Sequence, residues 1–153
     1  MIKMITYRKE LQRATVELAH EFYNKNQYTK GVGHLNQVAF SNLLDVAVDS
    51  SSDVFVRLFV DTKTNTVVGF FVGLCFENKL FNLTLAHEQG FYSRVPLGLK
   101  LSREVVTEFE NWGAEGAAQF AVLSCLAGTK VHKLYERLGY EHSESAYTKR
   151  ISE

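Results

Sequence analysis

The sequence predicts an α+β domain of three layers, with strands and helices in the order β-α-α-β-β-β-α-β-α-β, and three observations predict it. The runs Val54–Val60 and Thr66–Phe76 are rich in β-branched and aromatic residues and flank the polar stretch Asp61–Asn65, which reads as a strand hairpin. Leu97, Leu101, Val105, Phe109 and Trp112 recur at steps of four, four, four and three. That spacing puts them on one face of a helix with about 3.6 residues per turn. Strand-like runs at Leu83–Glu88 and Phe120–Cys125 bracket this helix, and a short helix ending at Tyr140 follows, which makes a βαβ unit.

Taken in order, Met1–Tyr7 alternates well enough for a first, edge strand. A helix is expected over Arg8–Asn24, because Leu11, Thr15, Leu18 and Phe22 share one face while Lys9, Arg13 and Glu17 occupy the other. Asn24–Gly33 is polar and glycine-containing, as a loop is. A second helix is expected over Leu35–Val48, with Leu35, Val38, Asn42 and Val46 as its stripe and Ala39 and Leu43 beside it. Ser50–Asp53 closes it as a turn. The second hairpin strand, Thr66–Phe76, is almost wholly apolar, so both of its faces are expected to be covered. Glu77–Lys79 turns the chain into the strand at Leu83, and a loop is expected over Gln89–Val95. Pro96 and Gly98 open the long helix, which is expected to stop at Gly113. Ser145–Ile151 has the composition of a last strand.

A length of 153 residues argues for one domain spanning 1–153. Seventeen basic and seventeen acidic residues cancel, which gives no general attraction to nucleic acid or to an anionic membrane. Cys75 and Cys125 sit in apolar runs and are expected to be buried, reduced thiols. His20, His34, His132 and His142 lack ligand spacing, so no metal is expected. There is no phosphate-binding G-x-x-x-x-G-K-[ST] run, which argues against a nucleotide hydrolase. Neither a leader nor an apolar run long enough to span a bilayer is read, and a cytoplasmic location is expected.

Two segments carry a resemblance. The run Leu134-Tyr135-Glu136-Arg137-Leu138-Gly139-Tyr140 is similar to the YEKLGF signature of the GNAT-superfamily acyltransferases. Ser93–Gly98, opening a helix that reaches Trp112, stands where that superfamily keeps its pyrophosphate loop, Q/R-x-x-G-x-G/A. The match is closest to small single-domain members, phage-encoded ones among them, through Gly98-Leu99-Lys100-Leu101 and Phe109-Glu110-Asn111-Trp112. The resemblance implies a mixed, mostly antiparallel sheet of six to seven strands. That sheet would be splayed between its fourth and fifth strands and flanked by about four helices. It also implies an N-acetyltransferase that moves an acetyl group from acetyl-CoA to a primary amine by direct attack.

On that resemblance, Arg94, Val95, Leu97, Gly98 and Leu99 would hold the diphosphate of acetyl-CoA, mostly through the main chain. Free amide protons at a helix start attract such an anion. Pro96 and Ser93 depart from the loop pattern, and Gly128 and Val131 stand where the family often has Asn and Ala. Tyr135 would protonate the leaving thiolate, with a packing tyrosine as the alternative. Glu88 would take the proton of the amine, directly or through water, with a surface His87–Glu88 pair as the alternative. Ser124 and Cys125 would line the acyl channel. Tyr23, Tyr28 and His34 fall in the region that forms one wall of the acceptor site in the family. The departures motivate a second reading, a chain that keeps the fold without the chemistry and serves as a structural or partner-binding component, for example of a phage particle. A homo-oligomer or an assembly partner goes with that reading, and a virion or host-cytoplasm location with a phage origin.

Overall fold

The structure is a computed structural model and describes residues 1–25, 35–49, 53–125, 130–144, 149 and 151. Among these the chain forms β1 (Ile2–Thr6), a 3-10 turn at Lys9–Leu11, α1 (Gln12–Lys25), α2 (Gln37–Ala47), β2 (Val54–Asp61), β3 (Thr66–Asn78), β4 (Leu83–Ser93), α3 (Gly98–Glu115), β5 (Phe120–Val122) and α4 (Val131–Arg137). The strands lie in sequence order in one sheet. β1 to β4 are antiparallel and β5 runs parallel to β4, so the sheet is mixed and mostly antiparallel as expected. The last strand expected, at Ser145–Ile151, falls almost wholly outside the described residues, as do Tyr28, His34, Gly128 and the Ser50–Ser52 turn.

β3 is covered on both faces from Val67 to Gly73, but not to the end of its apolar run, where Phe76 is 44% exposed. Phe70 and Val72 join Leu18, Ala19, Phe40 and Leu44 in a core beneath α1 and α2. Phe71 and Val68 join Phe55, Phe59, Val105 and Phe109 in a second core beneath α3. The five phenylalanines Phe55, Phe59, Phe70, Phe71 and Phe109 are all fully buried, each contributing on the order of 2 kcal/mol. Gly113 lies within α3 rather than ending it, and the helix runs on to Glu115 with Gly116 as its cap. A Cβ on Gly113 would come within 2.7 Å of the Ala86 Cβ, so this glycine lets α3 approach β4 closely.

Several expectations are corrected. The buried face of α2 is Phe40 and Leu44, whereas Val38 and Val46 are 70% and 50% exposed. The two stripes are rotated from each other, and the larger Phe40 and Leu44 side chains win the core. The segment after Glu88 is strand rather than loop, because Gly90–Ser93 pairs with β3 at Gly69–Val72. Glu88 is therefore inside β4, not at its end. β5 is shorter than Phe120–Cys125 and stops at Val122. Cys75 and Cys125 are free thiols, but only partly buried.

Candidate active site

The site begins where two strands part. β4 and β5 pair only at Leu85↔Phe120, Ala86↔Ala121 and His87↔Val122. β4 then continues to Ser93 while β5 ends, so from Glu88 onward that edge of β4 has no strand partner among the described residues.

Glu88 occupies the first position past the seam and is 7% exposed. Tyr135, on α4, is equally buried, and its hydroxyl reaches both β4 and the chain that follows β5. Its hydroxyl donates to the Ser124 carbonyl at 2.9 Å and reaches Glu88 Oε1 at 3.4 Å. Burial disfavours the ionised carboxylate and pushes the Glu88 pKa up to about 8, although the bond from Tyr135 pulls it the other way. Tyr135 is held far above the ordinary tyrosine range, first by burial and then by the charge of Glu88. The two groups expected to do acid–base chemistry are thus brought together out of water.

A bulge follows Glu88 directly. Val72 pairs with Gly90 and Gly73 with Glu88, which leaves Gln89 as an extra residue in β4. The Gln89 carbonyl accepts from the Tyr23 hydroxyl of α1 at 3.0 Å. Neither the bulge nor this bond is read in the sequence. A glycine two residues past a candidate carboxylate in a strand-like run is the one signal that pointed to the bulge. His87 stacks on Phe76 at 5.9 Å between ring centroids, and its Nδ1 lies 2.8 Å from the Glu88 carbonyl. It faces away from the Glu88–Tyr135 pair, as the alternation of neighbouring side chains along a strand requires.

The residues expected to hold a diphosphate divide into two groups. The Arg94 amide donates to the Val68 carbonyl at 2.8 Å, and the Arg94 guanidinium is paired with Glu21 at 2.7 Å. The Val95 amide donates to Ser93 Oγ at 3.2 Å. The main-chain amides of both residues are thus spent inside the protein, while the half-exposed Arg94 guanidinium bonds Glu21 through Nε alone. Leu97, Gly98 and Leu99 form the mouth of α3, which has no side-chain cap and no acidic residue in its first turn. Gly98 has φ +79, which favours glycine, and a Cβ placed there would meet nothing within 4 Å. The mouth is open, uncapped and free of negative charge, which fits a diphosphate. Pro96 precedes the N-cap Leu97, so the donor it lacks is not one of the helix amides.

Solved structures match nearly the whole chain. Glucosamine-6-phosphate N-acetyltransferase from Arabidopsis thaliana superimposes with a TM-score of 0.69 at 14% identity, over 99% of both chains. AAC(6')-Iy, in complex with the bisubstrate analogue CoA-S-monomethyl-acetylneamine, gives 0.71 at 11% identity, again over 99% of both. The chain has the GNAT fold. Ribosomal-protein-alanine N-acetyltransferase from Brucella melitensis biovar Abortus 2308 gives a TM-score of 0.65 at 12% identity, over 99% of this chain and all of that one (100%). No protein-family model matches the sequence, and no curated protein does. The GNAT fold accounts for the splayed sheet, and among the described residues no group of acidic, His and Cys side chains could hold a metal. No helix among them is long and apolar enough to cross a membrane.

Proposed function

We propose that the protein is an N-acetyltransferase that moves an acetyl group from acetyl-CoA to a primary amine by direct attack. The observation that carries this reading is the buried Glu88–Tyr135 pair at the parting of β4 and β5. Packing alone gives no reason to bury a carboxylate against a phenol, because an unpaired charge there is disfavoured. Structures of GNAT acetyltransferases with the same fold, one of them holding a CoA bisubstrate analogue, support acetyl-CoA as the donor. The reading of a chain without chemistry has no observation in its favour.

In the proposed reaction the amine nitrogen attacks the thioester carbon, a C–N bond forms and the C–S bond breaks. Glu88 accepts the proton that the amine loses. With a pKa of about 8, the carboxylate is a stronger base than an ordinary glutamate and is matched to an amine near neutral pH. Tyr135 gives its proton to the departing thiolate. The charge of Glu88 is one of the causes that hold the phenol proton back. Once Glu88 has been neutralised by the amine proton, that restraint is gone and Tyr135 becomes the better acid. The diphosphate would sit at Leu97, Gly98 and Leu99, with the Nη groups of Arg94 reaching it while Nε stays on Glu21.

Isothermal titration with acetyl-CoA, followed by thiol-release assays over a panel of primary amines, tests the proposal. Saturable binding and amine-dependent release of CoA are expected. Absence of binding at millimolar acetyl-CoA would end it.

A further inference from the structure

We propose that Tyr23 is a positioning residue for Glu88: by holding the carbonyl of the bulged residue Gln89, its hydroxyl fixes where the neighbouring carboxylate points. The inference rests on the proposed role of Glu88 in the GNAT site, but it is read by a titration that needs no turnover.

The ladder pairs Glu88 with Gly73 and Gly90 with Val72 but leaves Gln89 between them unopposed, and the Gln89 carbonyl takes the Tyr23 hydroxyl as its partner. A slip of one residue at a bulge turns every following side chain to the other face, and the same slip in the preceding direction would take Glu88 out of the cleft. Tyr23 stops that slip from 66 positions away in sequence. Its ring sits directly over the bulge, since a Cβ on Gly90 would lie 3.3 Å from the Tyr23 hydroxyl. Phe22 holds the ring in turn, edge to face at 4.9 Å, and itself packs on Phe70 and Tyr92. The ring is thereby tied to the core, while its hydroxyl meets Gln89 on the exposed side.

The groups that face or neighbour Glu88 are Tyr23 from α1, Tyr135 from α4, Cys125 beyond β5 beside Tyr135, and His87 next to it on β4. On the β3 side stands Gly73, which has no side chain. Burial and then the charge of Glu88 push the Tyr23 pKa up to about 12. Tyr23 therefore remains a neutral donor while Glu88 titrates.

The test compares Tyr23→Phe with the native protein by carbon-detected NMR titration of the Glu88 carboxyl and by steady-state kinetics. Loss of the hydroxyl is expected to loosen the bulge and admit water to the carboxylate, lowering its titration midpoint by about one pH unit or more. In turnover, kcat is expected to fall about 10- to 100-fold while KM for acetyl-CoA stays within about two-fold. Phe40→Leu, in the core beneath α2 and away from the Tyr23 ring, is the control for packing alone: it is expected to lower the melting temperature and leave the midpoint in place. An unchanged midpoint and kcat in Tyr23→Phe would overturn the proposal, as would an equal shift in Phe40→Leu. If the native protein neither binds acetyl-CoA nor turns over, the transferase reading fails and the titration still decides the role of Tyr23.

Discussion

Tyr135 and Glu88 stand 47 positions apart in sequence, yet the phenol oxygen of one lies 3.4 Å from the carboxylate of the other inside the cleft of a parted sheet. The phenol has one proton and two acceptors, since the Ser124 carbonyl is 2.9 Å away. Which acceptor takes that proton depends on the charge of Glu88, and the following expectations draw on that dependence.

Glu88→Gln keeps the shape of the side chain and removes the base. We expect kcat to fall about 10²- to 10⁴-fold, with the affinity for acetyl-CoA unchanged by calorimetry. In the native protein kcat/KM should rise with pH through about 8, the pKa of Glu88, and in the variant that limb should vanish.

Glu88 also ties stability to pH. Its pKa is raised from 4.5 in the open chain to about 8 in the fold, so between those values the folded state binds the extra proton. Stability from this group is complete below about pH 4.5 and declines as pH rises through 8, by up to about 1.4 kcal/mol per unit. Urea unfolding at pH 5 and pH 9 should show the decline in the native protein and a smaller one in Glu88→Gln. At pH 9 the variant should be the more stable of the two.

Tyr135→Phe removes the proton donor and one support of the ionised carboxylate. The bond from Tyr135 lowers the Glu88 pKa, so its loss should move the rising limb of the pH profile above 8. A limb that moved down instead would mean that water, not the phenol, stabilises the charge. kcat should fall at all pH values, which stopped-flow detection of CoA release can follow.

Arg94 pairs with Glu21 through Nε at 2.7 Å, and that carboxylate competes with a diphosphate for the charge of the guanidinium. Glu21→Gln should tighten acetyl-CoA binding roughly two- to five-fold, the scale of a partly exposed ion pair, and the gain should shrink with added salt. Unchanged affinity would place Arg94 outside the phosphate site.

Gly98→Ala puts a Cβ on a residue with φ +79, where no neighbour blocks it but the backbone disfavours it. We expect about 1 kcal/mol of lost stability and weaker acetyl-CoA binding in titration calorimetry. Pro96→Gly, by contrast, changes a residue ahead of the helix and should alter affinity by less than about three-fold.

The order of elements was legible in the sequence because the periods were strong: Leu97 to Trp112 for α3, and the apolar run of β3 between two cores. The parts that escaped depend on partners far away in the chain. Phe40 and Leu44 bury the face of α2 because β2 lies beneath them, and no local period chooses between that face and the one through Val38 and Val46. Gln89–Ser93 is polar and glycine-bearing, and only its pairing with Gly69–Val72 makes it strand. Tyr135 and Glu88 were marked by a resemblance and a strand position, but their approach is a product of topology. The bond from Tyr23 to Gln89 had no sequence signal at all, because a backbone carbonyl leaves no letter to read.

The brevity of the seam between β4 and β5 has one more consequence. Past His87 the outer edge of β4 has no strand partner among the described residues, and peptide groups on such an edge can take an arm bearing amides of its own in place of a strand. Peptide groups are common to every residue but proline, so recognition of that sort survives almost any substitution.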